Sequence, residues 1–227
     1  HCVKRFNELR GELTEILIAE GGKPRGAASA EVERLINTFQ LAADAVTQMD
    51  DGRIIPLAVT PAASRYRGMV KQVPIGAVSL ISPFNFPLNL VAHKIAPAIA
   101  AGCPFVLKPA SLTPISSLKI AEVLAETDLP KGSWSVLPCD RQAADILVTD
   151  DRFKLLSFTG SDQVGWDMKA RAGRKKVTLE LGGNAAVMIE ADAIIDDALI
   201  DRLIGAAYGH AGQICISVQR ILVHADI

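Results

Sequence analysis

Cysteine and histidine are scarce in this sequence, which contains four residues of each. The cysteines form no C-x-x-C pair and are too few for a disulfide scaffold, which favours a reducing, cytoplasmic location. The histidines show no metal-ligand spacing, so no metal site is predicted. A chain of 227 residues, 49% of them apolar, is long enough to bury most of its apolar surface in one large globular domain or in one and a half ordinary ones.

An excess of charge of one sign is also lacking, because 24 basic and 25 acidic residues leave a net charge of −1. Nucleic acid and anionic membrane surfaces are therefore not expected partners. Every apolar stretch is broken well before the ~18 residues that a membrane span requires. No signal peptide opens the chain, but His1 begins inside a helical pattern, so we expect the natural N-terminus to lie upstream.

Apolar residues at helical spacing predict two helices near the N-terminus. The first covers residues 3–20 and ends at Gly21 and Gly22, and the second runs from Val32 to Val46. Residues 52–74 differ, because prolines interrupt short apolar runs there. This pattern predicts an excursion of two strands that protrudes from the domain.

From residue 75 onward, short apolar strands alternate with helices, which is typical of a doubly wound parallel α/β sheet. The predicted strands cover 76–81, 104–108, 133–137, 154–158 and 176–181, and the predicted helices lie near 88–101, 114–126, 140–148 and 161–171. Ligands of such sheets bind at the carboxyl ends of the strands. The residues that follow each strand are therefore the candidate site.

Polar residues at these strand ends each allow two interpretations. Asn85, between two aromatic residues and two prolines, is a turn residue or an amide donor. Lys108 is a solvated strand end or a contact to a nucleotide. Ser161, which opens a helix, is an ordinary N-cap or part of a pyrophosphate site. The dinucleotide fingerprint G-x-G-x-x-G and the P-loop are both absent from the sequence, so the last signal is weak.

The last two candidates are a carboxylate and a thiol. Glu180 lies in an apolar strand, where it either forms a structural ion pair or serves as a general base whose pKa is raised by apolar surroundings. Cys215 is either an inert core residue or a nucleophile, around which Gly209 and Gly212 allow a close turn. His210 suggests a Cys–His pair, but helical packing is the simpler interpretation because no third orienting residue is evident.

The order of these motifs resembles the aldehyde dehydrogenase superfamily over essentially all 227 residues. The matching stretches are PFNFP at 83–87, KPAS at 108–111, SFTGS at 157–161, LELGGN at 179–184 and GQIC at 212–215. LELGG followed by GQ-x-C at this spacing, with FTGS upstream, is highly specific.

The resemblance implies a catalytic role for several residues. Cys215 would be the nucleophile, Glu180 the general base and Asn85 the oxyanion donor, while Lys94 falls where the family has a lysine that helps to relay protons. The implied reaction oxidises an aldehyde, such as a small semialdehyde or a lactaldehyde-like compound, to the acid. It passes through a thiohemiacetal and a thioester on the cysteine, with hydride transfer to NAD or NADP.

The resemblance also implies a cofactor cleft, in which Lys108 contacts the adenosine ribose and Ser161 the pyrophosphate. The complete set of expected cofactor contacts is Ile81, Ser82, Pro83, Phe84, Lys108, Ser111, Phe158, Thr159, Gly160, Ser161, Val164, Leu181 and Gly182. Phe84 stands where family members often have Trp. The family's glycine-bearing turn is replaced by PCDR at 138–141. Ser111 stands where NAD-preferring members often have a glutamate, and this loss of a repelling carboxylate makes NADP a credible cofactor.

The implied domain organisation is an NAD(P)-binding domain formed by residues 1–51 and 75–182, with the excursion at 52–74 serving oligomerisation. Residues 183–227 would begin a second, catalytic α/β domain. Because resembling proteins continue for about as long again, we expect this chain to be a fragment of a longer protein that forms homodimers or homotetramers.

Two other functions compete with aldehyde oxidation. Release of the thioester to coenzyme A is disfavoured, because thiolysis needs no water-activating base at position 180. A nucleotide-binding module without activity becomes the better interpretation if the natural chain ends near Ile227. A serine hydrolase is disfavoured because the sequence contains no G-x-S-x-G.

Overall fold

A computed structural model of the chain describes residues 1–48 and 52–227. Three helices open it: α1 (Cys2–Glu8), α2 (Arg10–Gly21) and α3 (Arg25–Val46). The single first helix that the apolar spacing predicts is thus divided at Leu9, where ψ is 8°. Gly22, with φ of 63°, ends α2 in the left-handed conformation that glycine adopts without strain.

Residues 53–70 form a small two-stranded sheet apart from the main one. Strands β1 (Arg53–Pro56) and β2 (Arg67–Val70) pair antiparallel, and Arg53 lies opposite Val70. Side chains such as Ile54 and Met69 are exposed at 73% and 72%. The predicted start of this excursion at residue 52 directly follows residue 51, which lies outside the described residues.

The main sheet has five parallel strands in the order β5-β4-β3-β6-β7. They are β3 (Val78–Ile81), β4 (Phe105–Lys108), β5 (Trp134–Val136), β6 (Leu155–Thr159) and β7 (Lys176–Glu180). The connecting helices are α4 (Asn89–Ala100), α5 (Pro114–Ala125), α6 (Asp145–Thr149) and α7 (Asp162–Arg171). The prediction of a doubly wound parallel sheet is confirmed, and all five predicted strands are present within two residues of their expected ends.

One predicted helix is shorter than the sequence suggests. We expected it near 140–148, but α6 begins at Asp145. A turn precedes it, because the carboxylate of Asp140 accepts a hydrogen bond from the backbone N–H of Ala143 at 2.8 Å. Asp side chains stabilise turns in this way at the expense of the helix.

Helices cover both faces of the sheet, and each face has its own apolar core. On one face Leu80 and Leu107 pack with residues of α1 to α5, among them Phe6 and Leu35. On the other face, the buried core residues from the strands and from α6 are Ile81, Leu156, Phe158, Leu147 and Val148. The chain proceeds from β3 to β4 on one side and places β6 on the other side of β3. The reversal between β3 and β6 is the point at which such sheets bind ligands.

A smaller unit follows the main sheet. It comprises β8 (Ala185–Ile189), α8 (Asp197–Tyr208), a 3-10 turn (Gly209–Gly212) and β9 (Val218–Val223), and its two strands pair parallel. Asp196 caps α8 by accepting from the N–H of Leu199 at 2.8 Å. Apolar residues such as Met188 and Ile194 are exposed at 71% and 79%. None of the helices in the described part of the chain has both the length and the apolar character needed to cross a bilayer.

Candidate active site

A cleft of about 940 Å³ runs along the carboxyl ends of the strands. Its walls include the candidate catalytic residues together with most of the expected cofactor contacts, namely Asn85, Glu180, Cys215, Ile81, Pro83, Phe84, Lys108, Phe158, Thr159, Gly160, Ser161, Val164, Leu181 and Gly182. Lys94 lines it as well. Residues separated by up to 134 positions in the sequence are therefore neighbours around one cavity. Two expected contacts, Ser82 and Ser111, are not in the cleft wall among the described residues.

Cys215 follows a strained turn. His210 and Ala211 have φ of 51° and 56°, and Gly212 has φ of 74°. Non-glycine residues in the left-handed region store strain, which often accompanies a functional loop. The thiol of Cys215 is free and exposed, whereas Cys103 is buried. Cys215, which lines the cleft, is thus more accessible than Cys103.

The loop after β7 approaches the cysteine closely. A Cβ atom at Gly183 would lie 2.8 Å from the carbonyl oxygen of Cys215, closer than real Cβ atoms come to other atoms. Only glycine fits this position without a shift of the backbone. The second glycine of LELGGN thus permits the end of β7, with Glu180, to lie against the cysteine loop.

Asn85 joins its own loop to the cysteine loop. Its Nδ2 donates a hydrogen bond of 2.6 Å to the carbonyl oxygen of Gln213, two residues before Cys215. An amide nitrogen carries two hydrogens, so one remains for a further acceptor in the cleft. Of the two interpretations of Asn85, this contact fits an amide donor beside the cysteine loop.

Glu180 is the last residue of β7 and is exposed. The expectation that apolar surroundings bury this carboxylate is wrong. β7 is the edge strand of the described sheet, so only the alternate residues Val177 and Leu179 pack on the core. The face that carries Glu180 is uncovered within the described chain and opens on the cleft.

Lys94 is the buried cation of the site. It projects from α4, is 6% exposed, and donates a hydrogen bond of 2.8 Å from Nζ to Oγ of Ser157. Burial lowers the pKa of Lys94 to about 8, although the charge of Glu180 acts in the opposite direction. Such a group can accept and release a proton near neutral pH.

Two glycines pack tightly against side chains of the cleft wall. A Cβ at Gly160 would lie 2.5 Å from Cζ of Phe158, and one at Gly165 would lie 2.5 Å from Cδ2 of Leu181. Both positions therefore accept only glycine, because the side chains of Phe158 and Leu181 already occupy the space beside them. Ser161 is the N-cap residue of α7, but it makes no capping bond from its side chain within the described chain. The hydroxyl of Ser161 therefore lies at the start of α7 without a capping bond in the described part of the chain, at a position where helix N-termini bind phosphate.

A buried hydroxyl lies at the end of β3. Ser82 is 5% exposed, and its Oγ has no hydrogen-bond partner among the described residues. Its backbone N–H donates to the carbonyl oxygen of Lys108 at 3.2 Å, which joins the ends of β3 and β4. An unsatisfied buried hydroxyl at the reversal point of the sheet is consistent with a polar ligand there.

Lys108, at the end of β4, is a charged group in the wall of the cleft. Nζ of Lys108 donates to the carbonyl oxygen of Pro109 at 3.0 Å and to Oγ of Ser111 at 3.4 Å. Ser111 is therefore one hydrogen bond away from a residue of the cleft wall. Arg141, which follows β5, also lines the cleft. The motifs did not single out Arg141, and its place after a strand end was the signal that could have found it.

His210 does not pack on a helix as expected. It lies in the 3-10 turn with left-handed backbone angles, and its ring centre is 5.4 Å from that of Phe86. Burial and the positive charge of Lys23 lower the pKa of His210. His93, which the motifs also missed, lines the cleft beside Lys94.

The model of the aldehyde dehydrogenase family matches residues 2–227. This chain belongs to the aldehyde dehydrogenase family. A 3-sulfolactaldehyde dehydrogenase from Priestia aryabhattai is 42% identical over 219 residues, which are 95% of this chain and 45% of the relative. Aspartate-semialdehyde dehydrogenase 1 from Pseudomonas canavaninivorans is 37% identical over 95% of this chain and 45% of its own length. The chain spans less than half the length of these aldehyde dehydrogenases.

Solved aldehyde dehydrogenase structures have the same fold. Aldehyde dehydrogenase 21 from Physcomitrella patens, in complex with the reaction product succinate, superposes with a TM-score of 0.93 at 50% identity, covering 99% of this chain and 47% of that one. Glyceraldehyde-3-phosphate dehydrogenase from Methanocaldococcus jannaschii, complexed with NADP, has a TM-score of 0.88 at 37% identity, covering 100% and 49%. The family resemblance of the motifs is thereby confirmed.

Proposed function

We propose that this protein oxidises an aldehyde to the carboxylic acid with NAD or NADP, and that Cys215 is the nucleophile. The observation that carries the proposal is the convergence of Asn85, Lys94, Glu180 and Cys215 on one cleft. An amide donor, a lysine of lowered pKa, a carboxylate and an accessible thiol are the groups that acyl chemistry on a cysteine requires.

The cofactor would occupy the other half of the same cleft. Gly160 lines this half of the cleft, and Ser161 with the start of α7 would bind the pyrophosphate. Lys108 and Ser111 would bind the adenosine ribose. When bound there, NAD(P)+ would supply the hydride acceptor for the oxidation.

The chain's own residues would carry the acylation half-reaction. A cysteine attacks as its thiolate, so the thiol of Cys215 must first lose a proton to a base. Glu180 is supported in this role because its strand end lies against the cysteine loop. The thiolate then adds to the aldehyde carbon, and the oxyanion accepts from Nδ2 of Asn85 and the backbone N–H of Cys215. One such donor contributes ~3 kcal/mol to the transition state.

Deacylation would use the same carboxylate. Glu180 must first give up the proton that it took from the thiol. After the thioester has formed on Cys215, Glu180 takes a proton from water and the resulting hydroxide adds to the acyl carbon. The carbon–sulfur bond then breaks, which releases the acid and restores Cys215 as the thiolate. The proton must then leave the site. Lys94 lines the same cleft as Glu180 and is hydrogen-bonded to Ser157, so it is suited to pass the proton on.

We further propose that the aldehyde carries an anionic group. Two relatives are named for 3-sulfolactaldehyde and aspartate semialdehyde, and one solved structure contains succinate. Each of the three molecules carries a carboxylate or sulfonate group that is ionised at neutral pH.

A cation beside Phe86, the residue after Asn85, supports this choice. Phe84 lines the cofactor cleft, whereas the ring of Phe86 lies 5.5 Å from the guanidinium carbon of Arg34. The aldehyde must approach Cys215 from the side that the cofactor does not fill. Arg34 has no ion-pair partner in the described part of the chain, so it is available to a carboxylate or sulfonate.

The test compares succinate semialdehyde with butanal, which has the same carbon number and no carboxylate. With the full-length protein we expect oxidation of both, a kcat/KM at least about tenfold higher for the anion, and loss of that preference in Arg34→Leu. Arg25→Leu, which removes an exposed arginine elsewhere, should keep it. Cys215→Ala should oxidise neither aldehyde while still binding NADPH. Activity in Cys215→Ala would contradict the mechanism, and equal values for the two aldehydes would contradict the substrate class.

A further inference from the structure

The N-terminal helices place a buried ion pair behind the loop that carries Asn85. Lys23 lies between α2 and α3, and Glu31 lies in α3; their side chains are 1% and 0% exposed. The ammonium group of Lys23 donates directly to Oε2 of Glu31. The cost of desolvating two charges cancels much of their attraction, so a buried pair is weak evidence for stability. Its other contacts indicate what it does.

The second oxygen of Glu31 holds the start of α4. Oε1 accepts hydrogen bonds from the backbone N–H groups of Leu88 at 2.9 Å and Asn89 at 3.1 Å. These groups lack partners within the helix, and a carboxylate there also complements the helix dipole. Leu88 is three residues after Asn85, and Lys94 is farther along the same helix. Glu31 therefore fixes the backbone between two residues of the cleft.

Lys23 extends the contact to the cysteine loop. Its Nζ lies 3.9 Å from the centre of the Phe86 ring, at a distance where a cation is attracted to the ring face. The same ring packs on the ring of His210, with centres 5.4 Å apart. His210 belongs to the turn that leads to Cys215. The ion pair thus contacts the Asn85 loop directly and reaches the cysteine loop through the Phe86 ring; the Asn85–Gln213 hydrogen bond joins the same two loops.

We infer that Glu31 and Lys23 are positioning residues for the oxyanion site: the pair fixes the Phe86–Asn89 segment, and through it the amide of Asn85, without touching substrate. This inference rests on the proposed function. The side-chain amide of Asn85 has to meet a developing charge at hydrogen-bond distance, and a displacement of about 1 Å is enough to reduce the rate ~100-fold.

A double-mutant cycle with Asn85→Ala tests the inference. The variants are Glu31→Gln, Lys23→Met and the two together, and the combined variant leaves no buried charge unpaired. In the full-length enzyme we expect each to lower kcat by about tenfold or more and to leave the Kd for NADPH, measured by fluorescence titration, within about twofold. In the Asn85→Ala background the same substitutions should change kcat less than about twofold, because coupled residues are not additive.

The matched control is the pair Lys119→Met and Glu12→Gln, which removes a salt bridge of the same residue types at 2.6 Å between α5 and α2. It should leave kcat unchanged in both backgrounds. An equal loss of kcat with and without Asn85 would overturn the inference, as would no loss at all. Failure of all three variants to fold would assign the pair to folding and also overturn it. A wild-type enzyme that oxidises no aldehyde would instead refute the proposed function.

Discussion

At the scale of single residues, the most informative group is Lys94. It is buried and donates a hydrogen bond to Ser157. Burial lowers its pKa to about 8, although the negative charge of Glu180 acts to raise it. Between pH 7 and 9 it passes from mostly protonated to mostly neutral. Only the neutral amine can accept a proton, so a relay through Lys94 gains capacity as the pH rises through 8.

The prediction concerns the pH dependence of turnover. In wild-type enzyme, kcat should rise with pH along a limb whose apparent pKa is near 8. Lys94→Met should lower kcat and remove that limb, because no other buried amine faces the carboxylate in the described cleft. Lys154→Met, at the opposite end of β6, should keep the limb. A profile with the same limb in Lys94→Met would remove this lysine from proton transfer.

The sequence predicted which residues form the site better than it predicted the burial and backbone conformation of those residues. The motifs around Asn85, Glu180 and Cys215 indicated one site, and the three residues do line one cleft. The burial of Glu180 was predicted wrongly, because an apolar strand pattern does not reveal which strand lies at the sheet edge. His210 was misplaced for a related reason: a left-handed turn of non-glycine residues has no sequence signature.

At the scale of elements, the loop after β4 is expected to set cofactor choice. Lys108 ends the strand and reaches Oγ of Ser111 at 3.4 Å. A serine can donate to a ribose hydroxyl or to a phosphate and repels neither. Arg141, after the neighbouring strand β5, adds a second positive charge to the same cleft.

We therefore expect both cofactors to be used with at most a modest preference. Ser111→Glu should lower kcat/KM for NADP far more than for NAD, because a carboxylate near a 2′-phosphate is repelled by ~3 kcal/mol at an effective dielectric of ~20. The measurement is the ratio of the two kcat/KM values. Leu112→Glu adds the same charge to an exposed neighbour and should leave the ratio unchanged. A constant ratio in Ser111→Glu would mean that the 2′ position lies elsewhere.

The sequence predicted the positions of strands and helices better than it predicted residue environments or long-range contacts. Buried parallel strands are short continuous apolar runs, and all five were identified. The shortened α6 was missed because the Asp140 turn depends on a hydrogen bond that helical periodicity does not reveal. Arg141 was overlooked because the family resemblance directed attention to a glycine-bearing turn that PCDR replaces.

At the scale of the whole molecule, the long-range contacts behind the site could not be predicted. Glu31 bonds to the backbone 57 and 58 positions away, and neither helical spacing nor a motif indicates that pairing. The exposed strands β1 and β2 also concern the whole molecule. Within the described part of the chain their outer edges are unpaired, and such edges with exposed apolar residues are a liability in a lone monomer. We propose that they pair with a second copy of the chain.

Ile54, exposed at 73%, provides the test. Ile54→Lys should shift the full-length protein toward smaller assemblies in sedimentation velocity, because it introduces charge at the proposed contact. Leu41→Lys, at a residue of α3 exposed at 69%, should sediment like the wild type. An unchanged distribution for Ile54→Lys would place the assembly surface elsewhere.

The central claim is that Cys215 forms the covalent intermediate and that Glu180 is needed to hydrolyse it. The most direct measurement is mass spectrometry of Glu180→Gln mixed with aldehyde and NAD(P)+, together with the pre-steady-state release of NAD(P)H. The account predicts strongly reduced steady turnover, a surviving burst, and an acyl adduct on the peptide containing Cys215 that Cys215→Ala lacks. Unchanged turnover, or an adduct on Cys103 or Cys139, would contradict it.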